Sequence, residues 1–170
     1  AELADLMFPL DLGARGSCQI GRNVSTNAGG NRVIRFGMAR ENVLGIEAVL
    51  ADGTVMSSLN VMIKNNSGYD LKQLFIGTEG TLGVITRIVL RLREIPQIQP
   101  TAFAAFDNFQ QVTQFLRIVD QKLGGELSAF EVMWHDYYEV VTTAPADNIR
   151  PVPADYPLYV LIESMGAGSN

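Results

Sequence analysis

At 170 residues, with 47% hydrophobic and 18% charged side chains, the chain is long enough for a sizeable core and has the composition of a globular protein. A net charge of −5 without any block of Lys or Arg argues against nucleic acid or an anionic membrane as partner, and no apolar run approaches the roughly 20 residues that span a bilayer. A single cysteine, Cys18, and a single histidine, His135, exclude an internal disulfide and any mechanism that needs two histidines of this chain.

The opening "AELADLMFPL" places acids where a secretory leader would be basic, and with one cysteine the expected location is cytoplasmic or otherwise intracellular. From residue 13 to 93 the texture is strand and turn. "VLGIEAVLADGTVMSS" is an apolar run from Val43 to Leu50, an Asp52-Gly53 turn and a second run at Val55-Met56, which predicts a β-hairpin. "GYDLKQLFIG", residues 68–77, predicts a short helix with Leu71, Leu74 and Phe75 on one face. "GVITRIVLRL", residues 83–92, predicts a strand, with Arg87, Arg91 and the following Arg93 solvated.

Pro96 and Pro100 mark the boundary between two segments, 1–95 and 96–170. Beyond it "TAFAAF" predicts a strand. Residues 108–123 predict an amphipathic helix through Phe109, Val112, Phe115, Leu116, Val119 and Leu123, capped by Asp107 or Asn108 and ended by Gly124-Gly125. "LSAFEVMW" and "YPLYVLIES" predict two more strands, with a short helix at "DYYEVVTT" between them. The expected architecture is α+β, a β-α-β-(α)-β layer with helices on one face of an antiparallel sheet. Both ends of the chain read as those of a fragment.

Two glycine-rich loops stand out. "GSCQIGRNVSTNAGG", residues 16–30, combines four glycines with Ser17, Asn23, Ser25, Thr26 and Asn27, and Arg22 is its one charge. Backbone N–H groups freed by glycine, with short hydroxyls and amides, are what a pyrophosphate needs. A tight turn with capping polar residues uses the same composition, and the residues alone leave both readings open. The loop lacks the Gly-Lys-Ser/Thr ending of a P-loop, and no G-x-G-x-x-G occurs. The second loop, "GTEGTLG", spaces Gly77, Gly80 and Gly83 by three and leads into a strand, which by itself reads as a bulged strand entry.

"PLDLGARGSCQIGRNVSTNAGG", "VLGIEAVLADGTV", "GYDLKQLFIGTEGTLGVIT" and "LSAFEVM", in that order, resemble the vanillyl-alcohol-oxidase-type (PCMH-type) flavoproteins. The resemblance covers residues 7–165 and is nearest to the FAD-linked 2-hydroxyacid dehydrogenases, in particular their D-2-hydroxyglutarate branch. It implies the C-terminal half of a PCMH-type FAD-binding domain followed by the first β-α-β part of an α+β cap domain. It implies FAD contacts from Pro9, Gly13, Ala14, Gly16, Ser17, Ile20, Gly21, Asn23, Thr26 and Gly30, and backbone contacts from Gly80, Val84 and Ile85. It further implies a small 2-hydroxy acid substrate of the 2-hydroxyglutarate, lactate or glycolate class and hydride transfer to flavin. The catalytic residues, and the ligands of a divalent metal in the parent protein, are implied to lie outside this chain. The electron acceptor is undefined, and a homodimer is compatible with all of this. The chain departs from the family at Gly21-Arg22, where many relatives have Gly-Gly, and at Trp134, where relatives often carry an acid.

Other readings stay open: an oxidase of the same superfamily that returns electrons to oxygen, or a flavin-free binding or assembly module that kept the fold. Among single residues, His135 reads as a surface or packing residue, Cys18 as a small buried one and Glu79 as a loop brace. Arg32, Arg35 and Arg40 read as solvated, and Glu131 as structural, in need of a partner if buried.

Overall fold

Strand β1 (Leu6–Met7), helix α1 (Ile20–Ser25), helix α2 (Val33–Phe36) and a 3-10 turn at Ala39–Asn42 come before the main sheet of the first unit. They belong to a computed structural model that describes residues 1–146 and 148–168 and that divides into two units, Ala1–Ile95 and a second from Pro96 onward. Residues 169 and 170 of the expected second segment lie outside the described residues.

The first unit is built on β2 (Val43–Val49), β3 (Val55–Ser58) and β4 (Val84–Leu90), antiparallel in the order β3-β2-β4. The Asp52-Gly53 turn forms as its residues demand: Gly53 takes φ 84°, and the Asp52 carboxylate accepts the Thr54 N–H at 2.9 Å. That backbone hydrogen bond holds the Asp52 carboxyl below its ordinary range. Cross-strand partners share a face, so Ile46, Ala48, Ile85 and Ile88 line one side, while Glu47 meets Arg87 at 3.5 Å on the other. The apolar side closes over Val24 of α1 and over Phe75 and Ile76. Strand β1 pairs with β5 (Arg93–Glu94) in a separate two-stranded ladder.

The strand-and-turn expectation for residues 13–93 needs correction at α1 and α2. The segment "IGRNVS" is helical although glycine and asparagine are poor helix formers, because tertiary contacts override propensity over so short a stretch. Val24 is fully buried in the core, and a Cβ at Gly21 would already touch Ile85 O at 3.6 Å, so the helix lies close on β4. The helix expected over 68–77 is shorter, α3 (Lys72–Phe75). Only Phe75 of its three apolar residues is buried; one turn is too short to present a face, and Leu71 and Leu74 stay exposed.

The second unit contains β6 (Thr101–Phe106), α4 (Phe109–Leu123), β7 (Leu127–Trp134), α5 (His135–Thr142) and β8 (Leu158–Ser164), with the antiparallel sheet ordered β6-β8-β7. Asn108 caps α4 by accepting the Gln111 N–H at 3.0 Å, and Gly124 ends it in the left-handed conformation. Val112, Phe115, Leu116, Val119 and Leu123 pack on Phe106, Phe130, Val132, Leu158, Val160 and Ile162, which register places on one face.

The two helices do not share that face. Tyr138 of α5 stacks on Tyr159 at 3.9 Å between centroids and meets Phe103 at 5.6 Å, and both partners lie on the opposite side of the sheet. Helix α5 follows β7 without a loop, and its one fully buried residue is Tyr138, whose hydroxyl donates to Val152 O at 2.6 Å. One anchored aromatic therefore decides which face the helix covers.

On the same side as Tyr138, the buried Glu163 carboxylate accepts Ser128 Oγ at 2.7 Å and also Gln99 Nε2. Glu131, exposed on that side of β7, needs no buried partner, but its surroundings strip part of its water and raise its carboxyl above the ordinary range. A carboxyl whose pKa is higher in the folded than in the unfolded state loses stability as pH rises through the folded value. Glu131→Gln is therefore expected to raise the melting temperature at pH 7, and the gain should vanish below about pH 4, where glutamate is neutral in both states. A gain that persisted into acid would assign the effect to something other than the charge.

Candidate functional site

Residues 12–26 enclose a cleft of about 540 Å³ lined by Leu12, Gly13, Ala14, Ser17, Cys18, Gln19, Arg22, Asn23 and Thr26. Its floor is a tight turn in which Ser17 N–H and Cys18 N–H both donate to Ala14 O at 2.9 Å. Its wall is one face of α1, since Gln19, Arg22, Asn23 and Thr26 follow the i, i+3, i+4, i+7 spacing of a helix. The opposite face carries Gly21 and Val24 onto the sheet.

Five of the thirteen residues expected to hold a cofactor thus come together: Gly13, Ala14, Ser17, Asn23 and Thr26. Gly16 and Ile20 are exposed beside this group but do not line the cleft, and Pro9 is buried in the preceding segment. Gly80 lies in an exposed turn, Val84 is exposed on β4 and Ile85 packs into the core. Gly30 is held against the chain at Asp11, where a Cβ would sit only 1.8 Å from Asp11 O. That close approach is the reason for glycine there.

Cys18, expected to be buried, is only partly so; its sulfur faces Asn23, whose Nδ2 donates to it at 3.3 Å. Leu12, Gln19 and Arg22 were not among the expected residues, although the helical spacing of 19, 22, 23 and 26 would have joined them to Asn23 and Thr26 had the segment been read as a helix. Ser17, Gln19, Asn23, Thr26 and the cation of Arg22 make the lining polar, with no carboxylate among them. The Ser17 hydroxyl donates to Ala14 O, that of Thr26 to Arg22 O and Asn23 Nδ2 to Cys18, which leaves Gln19 and Arg22 as the side-chain donors uncommitted among the described residues. That donor set fits an anionic, phosphate-bearing ligand, and the volume lies within the ordinary range of ligand pockets.

The two glycine-rich loops are joined directly. Gly77 N–H donates to Val24 O at 3.3 Å and Glu79 N–H to Ser25 O at 2.9 Å. Glu79 takes φ 55° to do so, which makes it a loop brace through its backbone. Arg40, expected to be solvated, closes the joint. Its own N–H reaches Asn27 Oδ1 at 3.0 Å, while its guanidinium donates to Gln73 O at 3.0 Å, to Gln73 Oε1 at 2.6 Å and to Ile76 O. Arg32 likewise lies 3.9 Å from Asp11.

In the second unit, His135 begins α5 with its N–H on Pro157 O at 3.0 Å and its Nδ1 3.2 Å from Tyr156 O, so it serves a chain crossing. Trp134 stacks on Phe109 at 6.2 Å. Among the described residues no three His, Cys, Asp or Glu side chains gather into a metal site, and no helix is long and apolar enough to cross a membrane.

Residues 1–58 match the family model described as the FAD binding domain. The mitochondrial D-2-hydroxyglutarate dehydrogenase of Bos taurus is 50% identical over 162 residues, which are 95% of this chain and 29% of that protein. That of Rattus norvegicus is 47% identical over 165 residues, 97% of this chain and 30% of the relative. Among solved structures, an alkyldihydroxyacetonephosphate synthase superposes with a TM-score of 0.74 at 16% identity, over 97% of this chain and 33% of its own. This last likeness shows the fold. The chain spans about three tenths of the length of the curated relatives it matches.

Proposed function

We propose, from the premise that the chain belongs to the FAD binding domain family matched by its first 58 residues, that it is part of an FAD-dependent dehydrogenase that oxidises a D-2-hydroxy acid to the 2-oxo acid. In this reading residues 1–95 are the C-terminal part of the flavin domain, and residues from 96 onward begin the cap over the substrate. The observation that supports it is the polar, carboxylate-free cleft, whose lining includes Gly13, Ala14, Ser17, Asn23 and Thr26, five of the residues that the resemblance assigns to the cofactor.

The flavin would supply the hydride acceptor, so that the substrate's C2 hydrogen and hydroxyl proton leave as the 2-oxo acid forms. This chain's part is to bind and orient. Ser17, Asn23 and Thr26 offer short polar groups at the cleft, and Gly13 and Gly16 leave open space where a Cβ would meet nothing within 4 Å. Gly30 lets the loop close on Asp11, and the second loop is joined to α1 through Gly77 and Glu79. The 2-hydroxyglutarate class is favoured by the identity to enzymes of that name, and an intracellular location by the word mitochondrial in the names of both relatives.

The test is anaerobic mixing of the full-length protein, loaded with FAD, with D-2-hydroxyglutarate, D-lactate or glycolate. Bleaching of the flavin band by one of them is the expected result. A band unmoved by all three overturns the substrate class. Stoichiometric oxygen uptake on admitting air would reassign the protein to the oxidases.

A further inference from the structure

Arg22 is the one cation in the lining of the cleft, and it stands on the same helical face as Gln19, Asn23 and Thr26. The face is fixed from behind, because Gly21 and Val24 are held against the sheet. Rotating α1 to move Arg22 out of the cleft would expose Val24, which is fully buried. Among the described residues the Arg22 guanidinium makes no ion pair or hydrogen bond; the helix uses only its backbone carbonyl, which accepts Thr26 Oγ1 at 3.0 Å. The nearest acid along the chain, Asp11, is engaged with Arg15 at 3.4 Å and lies 3.9 Å from Arg32. A guanidinium presents five donors in a planar fork that matches a phosphate oxygen pair, and beside uncharged donors it is the group that adds charge selectivity.

We propose that Arg22 binds the pyrophosphate of the flavin dinucleotide, as a side-chain clamp added to a cradle otherwise built of backbone and short polar groups. This rests on the flavin reading above and deepens it. Arg22 makes FAD affinity depend on ionic strength, since a partly exposed ion pair is screened over roughly 8 Å at physiological salt. It leaves recognition of the phosphate-free isoalloxazine and ribityl portion unaffected.

The experiment compares the full-length protein with Arg22→Gln and Arg22→Lys, titrated with FAD, riboflavin and inorganic pyrophosphate at low and moderate salt. Arg22→Gln is expected to weaken FAD binding roughly tenfold at low salt and to flatten its salt dependence, with riboflavin binding and melting temperature unchanged. Arg22→Lys should keep the salt dependence and recover part of the affinity, since it keeps the charge without the fork. Equal FAD affinity in wild type and Arg22→Gln would overturn the clamp alone. An equal loss for riboflavin would overturn it too, by showing that the residue only shapes the loop. If the wild type took pyrophosphate in an Arg22-dependent way but not FAD, the flavin reading would fall and the anion contact would stand. Binding of neither would sink both.

Discussion

Gly30→Ala is expected to destabilise the first unit by about 3 kcal/mol, the upper end for overpacking at a site that cannot relax. The reason is that the new methyl carbon would meet backbone. It would lie 1.8 Å from Asp11 O and 2.7 Å from Asp11 C, where no side-chain rotation can relieve the overlap. The loop would have to lift off residue 11, giving up the Asn31 N–H to Asp11 O bond of 3.3 Å. Gly13→Ala and Gly16→Ala provide the comparison. Nothing lies within 4 Å of a Cβ at either, so the same methyl group should leave stability unchanged or raise it by about 0.5 kcal/mol through a less flexible unfolded chain. Thermal or urea unfolding of the three variants checks this, and three equal melting temperatures would refute the close approach at Asp11.

Arg40→Met should cost about 2–4 kcal/mol, because it removes charge-assisted hydrogen bonds and leaves partly buried carbonyls unsatisfied. The guanidinium is the partner of Gln73 O and Ile76 O at the end of α3, and the same residue's N–H holds Asn27 of the first loop. Methionine keeps the volume and the backbone bond but loses the fork. Local effects should exceed the global one: the amides of Gly77 and Glu79, which bridge to Val24 and Ser25, should exchange with solvent markedly faster. Arg40→Lys should fall on the same side as methionine, since one ammonium cannot span three acceptors. Unaltered exchange at Gly77 and Glu79 would mean that the loops hold together without Arg40.

What could be read from the sequence was local. The Asp52-Gly53 hairpin follows from turn chemistry, and α4 from an apolar period of 3.6 bounded by Asn108 and Gly124. These need only neighbours along the chain. Helix α1 did not announce itself, because its residues are poor helix formers held by Val24 in the core and by the sheet beneath Gly21. Missing the helix meant missing the face that adds Gln19 and Arg22 to the cleft. The role of Arg40 was hidden for a related reason: its acceptors lie 33 and 36 residues away, a pairing that no local pattern encodes. The side of the sheet that α5 covers depends on Tyr138 meeting Tyr159 across the fold, which is equally non-local. Each glycine-rich loop stood out because close backbone approach leaves a compositional trace, as Gly30 shows, but their junction through Gly77 and Glu79 is non-local and was not legible.

The most direct test of the flavin reading is a visible absorbance titration of the full-length apoprotein with FAD, followed by desalting. A shifted, structured flavin band that stays with the protein, and that Gly30→Ala weakens, is the predicted result. A spectrum identical to free FAD, with all of the flavin lost on desalting, would contradict it.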